Sequence, residues 1–82
     1  MKQVRYTADA AKSLKRHANV AKRLRKTIAE YGADQAAHSN NVTQLVGSSA
    51  KRLVVGDYRI IFEETETEII VTKIGPRGNV YD

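Results

Sequence analysis

Arg52-Leu53-Val54-Val55-Gly56-Asp57-Tyr58-Arg59-Ile60-Ile61-Phe62 is two apolar runs broken by one Gly-Asp pair. Gly-Asp between two β-branched and aromatic runs is the signature of a two-residue hairpin. With Gly56 and Asp57 as the turn, Val55 pairs with Tyr58, Val54 with Arg59, Leu53 with Ile60 and Arg52 with Ile61. Side chains alternate between the faces of a sheet. Leu53, Val55, Tyr58, Ile60 and Phe62 therefore share one face, which suits packing against helices. Arg52, Val54, Arg59 and Ile61 share the other. Burying an unpaired arginine is costly, so Arg52 and Arg59 are expected to meet solvent, a ligand or a partner.

The pattern extends in both directions. The second hairpin strand runs to Glu64, Thr65-Glu66-Thr67 makes an acidic turn, and residues 69–74 form a last strand. Near the start, Val4 and Tyr6 alternate with Gln3 and Arg5 as a short strand. Thr7 offers a helix N-cap oxygen, and Asp9 suits a first helical turn. A helix over roughly residues 8–17 then carries Ala11, Leu14 and Ala18 along one side. Asn19 is placed to cap a second helix, whose Val20, Leu24, Ile28 and Tyr31 form a stripe at helical spacing. Gly32 is the expected C-terminal stop. Helices joined this tightly predict an antiparallel pair. Residues 33–50 hold Asp34, Gln35, His38, Ser39, Asn40 and Asn41, then Gly47-Ser48-Ser49, and read as an irregular loop. The predicted order is β-α-α-β-β-β, an α+β domain with a helix pair on one face of a mainly antiparallel sheet.

Eighty-two residues fit a single domain, 1–82, with a core of modest size. Cysteine is absent, which excludes a disulfide framework, a thiolate metal site and a Cys nucleophile. The residues after Met1 are polar and basic, and no apolar run approaches a membrane span, so a cytoplasmic protein without membrane contact is expected. Net charge is +5, and it is unevenly spread. Residues 1–31 hold nine Lys or Arg and two acids, and seven of those cations lie between Lys12 and Lys26. A one-sided positive field favours a polyanion such as a nucleic acid.

His17 and His38 lie far in sequence from the arginine face, and surface or capping roles suit both. Tyr6, Tyr31, Tyr58 and Phe62 read as packing residues. The acidic run Glu63, Glu64, Glu66 and Glu68 reads as a solvated turn, and no metal site or cofactor is indicated.

Val55-Gly56-Asp57-Tyr58-Arg59-Ile60-Ile61-Phe62 resembles the central hairpin of the RelE/ParE toxin superfamily. Ile74-Gly75-Pro76-Arg77-Gly78-Asn79-Val80-Tyr81 resembles its closing segment, and Val4-Arg5-Tyr6-Thr7 followed by a basic helix pair resembles its start. The resemblance implies a RelE-like fold with a curved sheet. It further implies a toxin of a type II toxin–antitoxin system, with the terminal tyrosine favouring the RelE branch. That branch comprises ribosome-dependent mRNA endoribonucleases that inhibit translation, needing no metal and held inactive by a cognate antitoxin. The implied catalytic residues are Arg59, Arg77, Tyr81 and Arg52. Lys22, Arg23, Arg25, Lys26 and Lys51 are the implied contacts to ribosome and RNA. The implied partners are the antitoxin, ribosomal and messenger RNA, and operator DNA bound through the antitoxin. Val54, opposite Arg59, departs from the family pattern of a second basic residue, and Lys51 replaces a frequent aromatic. Two alternatives follow: a ParE-like DNA gyrase inhibitor, and a degenerate toxin that only binds its antitoxin.

Overall fold

The computed structural model describes residues 2–78. Its strands are β1 (Gln3–Tyr6), β2 (Val42–Gln44), β3 (Lys51–Val55), β4 (Tyr58–Glu64) and β5 (Glu68–Pro76). Its helices are α1 (Ala8–Arg16) and α2 (Ala18–Ala33), followed by a 3-10 helix, Gln35–Asn41. One sheet has the order β1-β5-β4-β3-β2. β1 runs parallel to β5, and the other three pairings are antiparallel. No helix among the described residues is long and apolar enough to cross a membrane.

The hairpin register is the one its sequence predicts, from Val55 opposite Tyr58 to Arg52 opposite Ile61. Gly56 has φ +59°, a left-handed value that glycine adopts without strain. The core lies between the helices and one sheet face. Leu53, Val55, Ile60, Phe62, Ile69, Val71 and Ile74 meet Ala10, Leu14, Leu24, Ile28 and Tyr31 there.

Four local expectations are corrected. Residues 33–50 are not irregular throughout. They hold the 3-10 helix and β2, which pairs with β3 through Val42 opposite Leu53. A strand of three residues has too little alternation to announce itself, and its partner decides its structure. α1 buries Ala10 and Leu14, whereas Ala11 and Ala18 are exposed. The cap position before α2 is His17, so Asn19 lies inside the helix. Gly32 also lies inside α2, which runs to Ala33. A Cβ on Gly32 would meet Ile69 Cδ1 at 3.2 Å and the Lys2 carbonyl oxygen at 3.4 Å. Lys2 N donates to Gly32 O at 3.2 Å, so this glycine admits the incoming chain.

Thr7 ties α1 to the sheet. Its Oγ1 accepts from Ala10 N and donates to Thr72 O, each at 3.2 Å. Thr7→Ala is expected to cost about 1 kcal/mol, the usual value of an N-cap, as a lowered urea midpoint at unchanged slope.

Glu64 joins four parts of the fold. Its carboxylate accepts from Lys2 Nζ at 2.6 Å, Lys51 Nζ at 2.9 Å and Tyr31 OH at 2.9 Å. Desolvation pushes this carboxyl up, but those three hydrogen bonds and the charge of Lys51 outweigh it and hold it below the usual range. Burial, with the hydrogen bond and charge of Glu64, pushes the Tyr31 phenol up to about 12. A depressed carboxyl stabilises the fold above its unfolded pKa, and that contribution is lost as pH falls through the folded one. A raised phenol stabilises below pH 10 and loses its contribution as pH rises through about 12. Glu64→Gln should therefore cost about 1.5–3 kcal/mol at neutral pH, the range for hydrogen bonds to a charged group. Urea titrations of both proteins across pH 7 to 2 should converge at the acid end; a constant gap would contradict this role.

Candidate functional site

The helices cover one face of the sheet and leave the other open. Strand pairing builds rows across this open face: Val54, Arg59 and Gly75, then Arg52, Ile61 and Lys73. Arg59 comes from the first row of β4 after the turn and is half-buried. Its Nη1 reaches the carbonyl oxygens of Tyr58 at 3.3 Å and Gly56 at 3.5 Å. Among the described residues no carboxylate lies within 4.0 Å of the Arg59 guanidinium. Gly75 stands opposite it on β5.

The open face has its own small apolar floor. Ile61 and Ala50 are buried there, with Leu45 packed against them. The β2–β3 loop folds over this spot through Leu45 N to Ala50 O at 3.0 Å and Ser49 Oγ to Glu63 Oε1 at 2.9 Å. Part of the face expected to be bare is thus roofed, and Arg52 is half-buried beside it.

Lys73 is a cation of this face that sequence reasoning missed. Strict alternation from Ile69 and Val71 would send it to the helix side. The register shifts between Ile61 and Phe62, so Ile61 faces Lys73 while Phe62 faces Val71. Thr72 is the extra residue, and its Oγ1 donates to Ile61 O at 3.2 Å. A bulge of this kind reverses the face of every later residue on its strand. No residue type in the β5 sequence marks it.

Arg77 follows β5 and is exposed. Its backbone N donates to Asp57 O at 2.6 Å, which sets it beside the hairpin turn. Tyr81, the expected base, lies outside the described residues.

The expected RNA contacts separate into two groups. Lys22, Arg23, Arg25 and Lys26 are exposed on α2, and α1 adds Lys12, Lys15 and Arg16. None of these seven makes an ion pair within 4.0 Å among the described residues. Arg25 lies near Tyr6, whose phenol is raised by burial and partly lowered by that charge. Lys51 differs from the group: it faces the helix side and is held by Glu64. The face carrying the arginines and the outer surface of the helices are on opposite sides of the sheet.

Neither histidine joins the open face. His17 Nδ1 and Tyr58 OH are 3.2 Å apart, with the rings edge to face at 5.2 Å. His38 Nε2 lies 3.6 Å from Glu30 Oε1. Among the described residues no three His, Asp or Glu side chains gather where they could hold a metal ion.

Such a face sets cations beside a small apolar floor, and guanidinium groups are chemically suited to phosphate oxygens. Comparisons with known proteins bear on the same fold. A chain of the archaeal RelE–RelB complex from Pyrococcus horikoshii superposes with a TM-score of 0.76 at 21% identity, over 96% of this chain and 98% of that one. A chain of the intact E. coli RelBE toxin–antitoxin complex gives 0.74 at 15% identity, over 96% and 100%. YafQ from E. coli gives 0.66 at 16% identity, over 100% of both. No match was found among curated protein sequences. Residues 4–81 match the family described as the ParE toxin of the type II toxin–antitoxin system, parDE. With nearly its whole length matched and a RelE-like fold around the open face, the chain belongs to the ParE toxin family of type II toxin–antitoxin systems.

Proposed function

We propose that this toxin cuts messenger RNA on the ribosome and is neutralised by a cognate antitoxin. The observation that carries the reading is Arg59, half-buried on the open face and without a carboxylate partner among the described residues. RNA cleaves when its 2′-hydroxyl attacks the neighbouring phosphorus. The catalyst must accept that proton, stabilise the charged phosphorane and protonate the leaving 5′-oxygen. Arg59 stabilises the phosphorane, because a guanidinium fork is always charged and binds two oxygens at once. Arg77 gives a second phosphate contact, and Arg52 positions the substrate or acts as the acid. Tyr81 is the base. A phenol is a poor base near neutral pH unless cations favour the phenolate, which the arginines supply.

The ribosome supplies what so small a protein lacks. Lys22, Arg23, Arg25 and Lys26 bind its RNA backbone in a salt-dependent, largely sequence-independent way. Lys51 is held by Glu64 at 2.9 Å, apart from this group. The antitoxin is supported by relatives solved as RelE–RelB and RelBE complexes. An acidic segment suits the +5 charge, and the antitoxin carries the complex to operator DNA.

A second reading has its own support in the name of the matched family, a ParE toxin, whose implied target is DNA gyrase. A translating extract with a defined message separates the two. Ribosome-dependent new 5′ ends are expected. An intact message together with inhibited supercoiling by gyrase would overturn the nuclease reading in favour of the second.

A further inference from the structure

The Gly56–Asp57 turn is bordered by arginines from both sides of the sheet. A Cβ on Gly56 would lie 3.0 Å from Nη2, 3.2 Å from Nη1 and 3.4 Å from Cζ of Arg23. The flat guanidinium of Arg23, reaching over from α2, therefore rests against the turn glycine. On the open side, Arg59 Nη1 approaches Gly56 O at 3.5 Å. The Arg77 backbone is bonded to Asp57 O. Asp57 neutralises none of them within 4.0 Å among the described residues.

Arg23 differs from the other cations of its helix. Successive helical residues are about 100° apart, so Lys22 and Lys26 point away from the buried Leu24 while Arg23 and Arg25 flank it. Arg25 lies on the Tyr6 side. Arg23 alone of the four lies against the hairpin turn. An exposed arginine normally loses much rotamer freedom when it grips an anion. One already resting on a backbone surface loses less, and its fork remains available: none of its side-chain nitrogens makes a hydrogen bond among the described residues.

We propose that Arg23, seated against the turn where Gly56 has no side chain, is the bridge that carries an RNA backbone round the hairpin end. It links the cations of α2 to Arg59 and Arg77 on the open face, giving one continuous phosphate track. The identity of the polyanion as RNA rests on the function proposed above. The glycine has two duties here: it accepts φ +59° and it leaves room for the guanidinium.

The test is binding of the full chain to a short fluorescent 2′-O-methyl RNA, read by anisotropy across a salt series. One phosphate contact on a single strand contributes about 0.7 to the log–log salt slope, which is about fivefold in affinity at 0.1 M salt. Arg23→Gln is expected to weaken binding by about that factor and lower the slope by about 0.7. Gly56→Asn, which tolerates positive φ but adds the Cβ, is expected to weaken binding in the wild-type background and add nothing to Arg23→Gln. Unchanged affinity and slope in Arg23→Gln would overturn the proposal even if Gly56→Asn fails to fold. Equal losses from Gly56→Asn in both backgrounds would overturn the positioning by glycine. Message cleavage on ribosomes is scored separately. A chain that binds through Arg23 but cuts nothing supports this track and removes the nuclease reading. Normal cutting with unchanged RNA binding in Arg23→Gln does the reverse.

Discussion

Arg59→Ala is expected to lower message cleavage by on the order of 10²–10³-fold while the protein stays folded. The size follows from removing one charge-stabilising donor aimed at the transition state. The selectivity follows from the side chain's surroundings. Among the described residues its hydrogen bonds are two long ones, to the carbonyls of Tyr58 and Gly56 beside the hairpin turn. Its removal opens no cavity in the main core, which lies on the other face. Stability should shift by no more than about 0.5 kcal/mol, as for substitutions away from the core. Single-turnover cleavage and a urea melt on the same preparation measure both quantities. Loss of activity in step with loss of folding would mean that Arg59 is structural.

Phe62→Ala should have the opposite profile and leave little folded protein to assay. Phe62 is fully buried, lies opposite Lys51 and Val71 in the neighbouring strands, and has its ring 5.3 Å from that of Tyr31. Truncating a buried phenylalanine costs about 3–5 kcal/mol in lost burial and residual cavity. A core in a chain this short seldom supplies more than about 3–5 kcal/mol in total. The variant should lack a cooperative urea transition at 25 °C in isolation. A cooperative transition with a nearly unchanged midpoint would show that the Tyr31–Phe62 layer is not what holds the helices on the sheet.

What the sequence made legible is concentrated where short-range chemistry is strong. Gly56-Asp57 set the hairpin, the hairpin set the register, and the register put Arg52 and Arg59 on the face away from the helices. The stripe from Leu24 to Tyr31 set the buried side of α2, with Val20 half-buried at its start. What escaped depends on distant partners. β2 exists because β3 offers it a free edge, and its three residues carry almost no signal of their own. Gly32 looked like a helix stop, but its missing side chain serves the close approach of Lys2. Lys73 changes face because of a bulge one residue away. Lys51 looked like one more cation for RNA, yet Glu64 from the neighbouring strand holds it. In each case a tertiary contact overrode a local preference, which single-chain periodicity does not record.

In the function proposed above, a ribosome completes an active site that this chain supplies only in part. The most direct measurement programs purified ribosomes with a defined message and maps the 5′ ends after adding the protein, with the same message free in solution alongside. Cuts within the codon in the decoding site, and none in the free message, are expected. Equal cutting of the free message, or no cutting in either, would contradict that function.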